Sequence, residues 1–253
     1  IIADGWIGQE FKEHENLFRT FAPDGKRPRF GDWITNKDLA IFFKTLAKQG
    51  PKIFYQGEIA ERIVRYSDQV GGRFSKADFQ DHSSDWVDPV SSSYRGFDVW
   101  ELPPNGQGIA ALQILNLLEH FDMGSMKPNS AEHLHLFLEA KKLAFEDRAV
   151  YYADMDFAEV PLTQLISKAY AADRVKLIDR NRAAQKVAPG RLRGSSDTIY
   201  LTAADNQGNM ISFIQSIYHG WGSRWVPDGL GFVLQNRGEL FSLNPNDLNK
   251  LEP

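Results

Sequence analysis

Two strand-like runs, DTIYLTAAD at Asp197–Asp205 and MISFIQS at Met210–Ser216, are separated by the short polar turn NQGN at residues 206–209. Both runs are rich in β-branched and aromatic residues and the turn contains a glycine, so the pattern predicts a β-hairpin. If residues 206–208 form a three-residue loop, Gly208 provides the positive φ angle that such a loop needs at its last position.

The length of the loop fixes which residues face each other across the hairpin. Counting outward places Ala204 opposite Met210 and Thr198 opposite Ser216, which brings a second hydroxyl within roughly 5 Å of Thr198, Cβ to Cβ. A slip of one residue would send Ser216 to the other face of the hairpin. Two facing hydroxyls usually form only a cross-strand hydrogen bond, so the pair alone does not identify an active site.

The composition is that of a globular protein and excludes several kinds of site. The chain has 253 residues, of which 42% are hydrophobic and 25% are charged, and its net charge is −4. A negative net charge gives no general attraction to nucleic acid or to an anionic membrane. The sequence has no cysteine, which excludes disulfides, thiol nucleophiles and cysteine-bound metals. No apolar stretch approaches the ~20 residues of a membrane-spanning helix.

Three helices are predicted in the first third of the chain. The first begins at a capping residue, Thr35, and ends at Gly50. The second runs from Ile53 to Val70 and continues past Gly57, and the third is a short helix from Lys76 to Trp86.

A strand is predicted at Tyr94–Leu102, followed by a buried helix from Ile109 to Phe121. Ser130 begins the longest helix of the chain. Glu146 and Asp147 near its end are interpreted as solvated carboxylates rather than as a catalytic pair. The side chains predicted to face inward on this helix are Leu134, Phe137, Leu138 and Ala144.

Neither a metal site nor a nucleic-acid site is predicted. His133 and His135 are two residues apart and point in different directions on a helix, and the sequence contains no HExxH motif. Residues 179–197 carry basic side chains interleaved with small residues and proline but with no aromatic residue, which predicts a mobile linker.

Several motifs, in the expected order, resemble the gamma-glutamyltransferase (gamma-glutamyltranspeptidase) family of N-terminal nucleophile hydrolases, and the similarity runs over nearly the whole chain. The resemblance implies an α/β layered fold, the αββα sandwich of those hydrolases. Because members of the family are longer at both ends and this chain lacks an initiator methionine, we expect an internal piece with no visible targeting signal. The motifs are Thr198–Asp205, Gly220–Ser223, Phe54–Ala60, Leu102–Gly108 and Leu234–Gly238.

In the resembled family a threonine at the position of Thr198 becomes a chain terminus by self-cleavage. The resemblance therefore implies cleavage between Asp197 and Thr198, with residues 1–197 ending a large subunit and residues 198–253 beginning a small one. No histidine adjoins this strand in sequence, and His219, which lies past the hairpin, is interpreted as a loop cap. The freed α-amine would therefore act as the base for the Thr198 hydroxyl, and no cofactor is needed. Ser216 matches a family threonine that hydrogen-bonds the nucleophile.

The region that would bind substrate departs from the family pattern. Tyr218 replaces an asparagine, and Leu240 stands where the family has the carboxylate that holds the substrate ammonium. Leucine cannot pair with a cation, and Arg237 nearby would favour a carboxylate. The predicted substrate-binding residues are Tyr218, Gly222, Ser223, Asn236, Arg237 and Glu239.

Three functions stay open at this point. The first is self-cleavage followed by hydrolysis or transfer of γ-glutamyl groups from amides such as glutathione. The second is a cephalosporin or glutaryl acylase-like amidohydrolase on the same scaffold, and the third is an uncleaved or catalytically silent ligand-binding relative. The expected partners are a small amide or peptide substrate and the two subunits of one precursor, and a homo-oligomer is compatible with the sequence. The oxyanion-hole and carboxylate-binding residues are expected outside the chain.

Overall fold

A computed structural model describes residues 14–22, 25–26, 28–184 and 196–251, with the backbone alone at 196–198. The chain divides into two compact units, one formed by residues 1–84 and 194–239 and the other by residues 85–193 and 240–253. Within the described residues the first unit contains α1 (Glu15–Phe21), α2 (Lys37–Gln49), α3 (Lys52–Tyr55), α4 (Glu58–Gln69), α5 (Lys76–Gln80), β3 (Ser196–Ala204) and β4 (Met210–His219).

The second unit contains a hairpin and several helices, and it carries two short 3₁₀ turns at Met123–Ser125 and Val175–Leu177. A third 3₁₀ turn, Arg237–Leu240, follows β4 along the chain. The elements of the second unit are β1 (Val90–Tyr94), β2 (Phe97–Glu101), α6 (Gly108–Leu118), α7 (Ala131–Tyr151), α8 (Leu162–Leu165) and α9 (Lys168–Arg174). None of the described helices is both long enough and apolar enough to span a membrane.

The core of the first unit is built from residues far apart in the sequence. In one cluster Leu17 packs with Val226 and Val233, and in the other the α2 and α4 side chains pack on Leu230. Burying each such side chain contributes about 1.5–3 kcal/mol. The side chains of α2 and α4 in the second cluster are Phe42, Ile59 and Ile63.

Polar side chains reinforce the same contacts. The Asn36 amide donates to Gly231 O at 2.7 Å, and Arg62 donates to Asp228 O at 2.5 Å. The predicted cap of α2 is wrong: Asn36, not Thr35, accepts the amide of Leu39, at 2.9 Å. Asn36 is the cap because its side chain accepts the Leu39 amide at the start of α2 and also donates to Gly231 O in a loop distant in sequence.

The uninterrupted helix predicted at 53–70 is also wrong, because α3 and α4 are separated at Gln56 and Gly57. Gly57 is extended, with φ −127° and ψ −155°. A Cβ there would lie only 2.7 Å from Ile53 Cδ1. The glycine thus allows α4 to leave the direction of α3 and to bury Ile59 and Ile63.

Two further predictions need correction. The helix predicted at 76–86 ends at Gln80, after a capping box at Ser75, and Trp86 is fully exposed, so nothing packs to extend it. The predicted single strand at 94–102 is instead the hairpin β1–β2, which pairs Tyr94 with Phe97. Arg95 and Gly96 form its turn, both with positive φ (50° and 87°), the geometry of a tight two-residue hairpin turn.

Helix α7 begins after the Ser130 cap as predicted, but its buried face is different. Leu134, Phe137 and Leu138 are 42%, 39% and 50% exposed, whereas Ala144 is buried as predicted. The buried side chains recur at the i, i+3, i+4, i+7, i+8 and i+11 spacing of one helical stripe. They are Leu136, Glu139, Ala140, Leu143, Ala144 and Asp147.

Asp147 is buried, which overturns its interpretation as a solvated carboxylate; it is only 5% exposed. Its carboxylate accepts hydrogen bonds from Gln113 at 2.8 Å, Tyr170 at 3.0 Å and Arg174 at 2.9 Å. Burial raises the pKa of the Asp147 carboxyl, against the lowering effect of Arg174 and of the hydrogen bonds. The neighbouring Glu146 also forms an ion pair with Arg174, at 3.4 Å.

The beginning of the predicted linker is bound to α7. His135 Nε2 lies 2.7 Å from Asp179 O, and Ala184 N donates to the buried Glu139 carboxylate at 3.2 Å. Residues 185–195 of the predicted mobile linker lie outside the described residues. The predicted division of subunits between residues 197 and 198 also stays a prediction, because the compact units are defined by contacts and not by a chain break.

Candidate active site

The β3–β4 hairpin has the predicted register. Ala204 pairs with Met210 and Thr198 pairs with Ser216, and Gly208 has a φ of 82°. The loop is held by Asp205, whose carboxylate accepts three hydrogen bonds, from the amides of Gln207 and Asn209 and from the Asn209 side chain. These bonds lower the pKa of Asp205, with the Asn209 side chain as the largest cause.

The ladder is irregular next to Thr198. From Ser196 to Thr198 β3 advances by two residues, while from His219 to Ser216 β4 advances by three. One extra residue of β4 therefore bulges opposite Asp197. A bulge bends its strand and changes the direction of neighbouring side chains.

The supporting hydroxyl predicted at Ser216 has a defined acceptor role. Its Oγ accepts the backbone N–H of Tyr218 at 2.9 Å, and Ser216 is half-buried. Only the backbone of Asp197 and Thr198 is described, so their place relative to Ser216 is known from the strand pairing. The pairing brings the predicted nucleophile and the predicted supporting residue to facing positions.

Asn236, predicted to bind substrate, bonds the two residues that flank Tyr218, which has the same predicted role. Tyr218 has a φ of 77°, which is uncommon for an aromatic residue. The backbone N–H of Asn236 donates to Ile217 O at 3.2 Å, and its side-chain Oδ1 accepts His219 N–H at 3.1 Å. The end of β4 is thus fixed by the segment that begins at Asn236.

Four of the six predicted substrate-binding residues line one cavity of about 580 Å³ in the first unit. Gly222 has a φ of 48°, and a Cβ there would lie 2.3 Å from Leu234 O. Ser223 bonds to the same oxygen through its amide at 2.8 Å and its hydroxyl at 2.9 Å, so these two residues shape the wall. The lining residues are His14, His219, Gly220, Trp221, Gly222, Ser223, Arg224, Asn236 and Glu239.

The charged residues of this region are paired differently from the expectation. Glu239 Oε2 lies 2.7 Å from Nε2 of His219, so its carboxylate is occupied by a neighbour. The Arg237 guanidinium lies over the Tyr218 ring, 5.2 Å from its centroid, a cation–π contact. Within the described part of the chain, no carboxylate forms an ion pair with Arg237, and Leu240 is 43% exposed.

Several lining residues were not predicted from the sequence. His14 and Arg224 belong to no motif, and Trp221 lies in the Gly220–Ser223 motif without having been predicted to bind substrate. His219, interpreted as a loop cap, is the last residue of β4. The one available signal was the GWGS turn at 220–223, whose flanking residues could have been included. Among the described residues no group of three His, Cys, Asp or Glu side chains could hold a metal ion.

The chain is similar to known proteins both in sequence and in structure. The family model described as Gamma-glutamyltranspeptidase matches residues 5–253. The chain is 39% identical over 233 residues to the glutathione hydrolase-like YwrD proenzyme of Bacillus subtilis (strain 168), covering 92% of this chain and 44% of that protein. It is 34% identical over 232 residues to the acylase ACY 1 proenzyme of Pseudomonas sp. (strain SE83), covering 91% and 42%. The chain spans less than half the length of these relatives.

Solved structures show the same relationship. The cephalosporin acylase from Bacillus halodurans matches with a TM-score of 0.82 and 38% identity, over 100% of this chain and 45% of that one. The gamma-glutamyltranspeptidase of Helicobacter pylori matches with a TM-score of 0.59 and 28% identity, over 78% and 62%.

These matches confirm the predicted fold class, the mixed α/β fold of the N-terminal nucleophile hydrolases, and the predicted assignment to an enzyme family. Two relatives are proenzymes, one of a glutathione hydrolase-like protein and one of an acylase. The family model, the relatives and the structural neighbours agree that the chain belongs to the gamma-glutamyltranspeptidase family.

Proposed function

We propose that the protein is an N-terminal threonine amidohydrolase or acyltransferase that cleaves itself before Thr198. The mature enzyme hydrolyses or transfers γ-glutamyl or related acyl groups from amides such as glutathione. The observation that carries the proposal is the strand register that pairs Thr198 with Ser216. The names of relatives as proenzymes of a glutathione hydrolase and an acylase support both steps.

Self-cleavage begins with attack of the Thr198 hydroxyl oxygen on the carbonyl carbon of Asp197. The peptide C–N bond breaks as an ester C–O bond forms, and the proton of the hydroxyl passes to the released nitrogen. Water then hydrolyses the ester, which leaves a carboxylate on Asp197 and a free α-amine on Thr198. This amine has an ordinary pKa of about 7.7–8.0 and can serve as a base near neutral pH.

In the mature enzyme the same oxygen attacks the acyl carbon of the substrate amide. The α-amine takes the hydroxyl proton and delivers it to the leaving amine, and an acyl ester forms on Thr198. Water or an acceptor amine then attacks the ester and restores the hydroxyl. Ser216, opposite Thr198, supplies a hydrogen bond to the nucleophile.

The test compares intact masses of the full-length wild-type protein, Thr198→Ala and Thr198→Ser. We expect the wild type to yield a fragment that begins at Thr198, the serine variant to cleave because it keeps a hydroxyl, and the alanine variant to stay intact. Turnover of amides by a wild type that remains uncleaved would contradict the mechanism. An intact wild type without turnover would support the third alternative, a silent ligand-binding relative.

A second candidate function, an acylase for dicarboxylic acyl amides, is favoured by the charges near Tyr218. Leu240 offers no carboxylate to a substrate ammonium, and Glu239 is held by His219 at 2.7 Å. Arg237, which lies over the Tyr218 ring, offers a cation that a glutaryl carboxylate would bind and a γ-glutamyl ammonium would avoid.

Rates with matched glutaryl and γ-glutamyl anilides distinguish the two functions. If Arg237 binds the distal carboxylate, Arg237→Gln lowers kcat/KM for the glutaryl compound roughly tenfold or more, the value of a charge-assisted hydrogen bond, and changes the γ-glutamyl rate little. Arg73→Gln is the matched control, since Arg73 is an exposed cation of the first unit that does not line the cavity. A strong wild-type preference for the γ-glutamyl compound would contradict the acylase function.

A further inference from the structure

The bulge opposite Asp197 has Tyr218 in a strained backbone conformation. Tyr218 is not a glycine, yet its φ is 77°, in the left-handed region that few residues other than glycine adopt. Residues held in such conformations cluster at functional sites and persist only where their surroundings fix them. The contacts around Tyr218 therefore show what holds the bulge.

Asn236 holds it from both sides. Its backbone N–H donates to Ile217 O at 3.2 Å, and its side-chain Oδ1 accepts His219 N–H at 3.1 Å. One residue thus bonds the peptide groups on either side of Tyr218. Only the second of these bonds needs an asparagine, because the first is made by the backbone.

The residues that follow Asn236 add two more contacts to the bulge. Arg237 lies over the ring of Tyr218, and Glu239 is 2.7 Å from the His219 imidazole. These four contacts come from three residues of the segment 236–239, so this segment covers the bulge as a unit.

The bulged backbone also determines what the Ser216 hydroxyl can do. The peptide group between Ile217 and Tyr218 accepts Asn236 N–H through its oxygen and directs its own N–H back to Ser216 Oγ at 2.9 Å. A backbone amide can only donate, so the Ser216 oxygen must accept this bond and keeps its own proton for donation. The bond restricts rotation of the hydroxyl on the residue that faces Thr198.

We propose that Asn236 is a positioning residue: it holds the bulge at Tyr218, and the bulge orients the Ser216 hydroxyl toward Thr198 and interrupts the ladder opposite the Asp197–Thr198 bond. Asn236 therefore acts on the nucleophile through Ser216. The sequence analysis had instead predicted that Asn236 contacts the substrate. The inference rests on the proposed function and assigns a role within it.

The test uses the full-length protein with Asn236→Ala, Asn236→Gln and Asn236→Asp. Alanine removes the acceptor for His219 N–H, glutamine moves it by one methylene, and aspartate keeps it in place. We expect the first two to slow self-cleavage and to lower kcat roughly 10–100-fold, the range that misplacement of a catalytic group costs. KM for an acyl anilide should stay within about twofold of the wild-type value, because positioning acts on the reacting atoms. Asn236→Asp should restore most of kcat.

Asn16→Ala is the matched control. Asn16 also bonds a backbone oxygen of the first unit, donating to Val226 O at 2.9 Å, but none of its hydrogen bonds in the described structure goes to β4. Its loss should lower thermal stability without changing kcat. If the alanine variant at 236 does not fold, the glutamine and aspartate variants still compare a displaced acceptor with a retained one.

Two outcomes would overturn the proposal. The first is a wild-type kcat in both Asn236→Ala and Asn236→Gln, and the second is a rise in KM with kcat unchanged, which would return Asn236 to substrate binding. In either case the wild type still cleaves and turns over, so the proposed function survives. A wild type that does neither refutes the proposed function itself.

Discussion

At the scale of single residues, Asp147 is a carboxylate whose charged form is disfavoured by burial. It is 5% exposed and depends on Gln113, Tyr170 and Arg174 for hydrogen bonds. Burial nevertheless raises its pKa above the ordinary value of 3.8. Desolvation, together with the charge of Asp147, raises the pKa of Tyr170 to about 12.

A raised pKa in the folded state fixes the sign of a pH effect on stability. Below the unfolded pKa both states hold the proton, and the contribution of Asp147 is fully present. As the pH rises through the folded pKa, that contribution is lost, at up to about 1.4 kcal/mol per pH unit. The free energy of unfolding of wild type minus that of Asp147→Asn should therefore fall as the pH rises from 3.8 upward.

Denaturant unfolding of both proteins at a series of pH values measures this difference. Asp98→Asn serves as a control, because the Asp98 side chain is exposed on β2 and its replacement should change the unfolding free energy little at any pH. A difference between wild type and Asp147→Asn that is flat or increases with pH would contradict the prediction.

Single residues also show where sequence reasoning stops. Ser216 was found because a loop length and a two-residue period place it opposite Thr198. His219 was misinterpreted because its partner, Glu239, is reached through a loop whose path no local pattern determines. The same limit hid the buried contacts of Asp147, since Tyr170 and Arg174 come from a helix more than twenty residues away.

At the scale of elements, the β3–β4 hairpin depends on one glycine. Gly208 has a φ of 82°, and a Cβ added to it would meet no atom within 4 Å. The cost of Gly208→Ala is therefore purely conformational, roughly 1 kcal/mol of unfolding free energy. We also expect slower self-cleavage, because the loop sets the register that pairs Thr198 with Ser216.

Gly208→Asn is the matched variant, because asparagine tolerates the left-handed region better than alanine. Equilibrium unfolding and the rate of precursor cleavage, measured on both variants, should place asparagine between wild type and alanine. Equal stability of wild type and Gly208→Ala would mean that the loop does not need a positive φ at this position.

The errors at the level of elements share a cause. The break at Gly57, the early end of α5 and the buried face of α7 are all decided by what the helix packs against, while the helical period alone allows several faces. The hairpin β1–β2 was missed because its turn, Arg95-Gly96, carries only one of the usual turn residues. Element type was predictable; element limits and orientation were set by tertiary contacts.

At the scale of the whole molecule, the family motifs predicted the fold class, whereas composition and periodicity alone would have allowed many α/β arrangements. The described residues contain two separate two-stranded sheets. Both faces of the β3–β4 hairpin expose apolar side chains, among them Ile199, Leu201, Ile211 and Ile214. No local pattern in the sequence indicated that the first unit would combine residues 1–84 with residues 194–239.

That combination has a consequence for a cleaved protein. Leu17, which precedes the Asp197–Thr198 bond, is buried against Val226, which follows it. In the same way, Phe42 and Ile63 are buried against Leu230. The two products of cleavage would therefore stay together without a covalent link. A denatured precursor could refold at any dilution, because both halves of this core travel on one polypeptide. The denatured mature protein would first have to bring two separate molecules together, and its recovery would depend on their concentrations. Maturation would thus make unfolding much harder to reverse, even if the contacts in the folded state did not change.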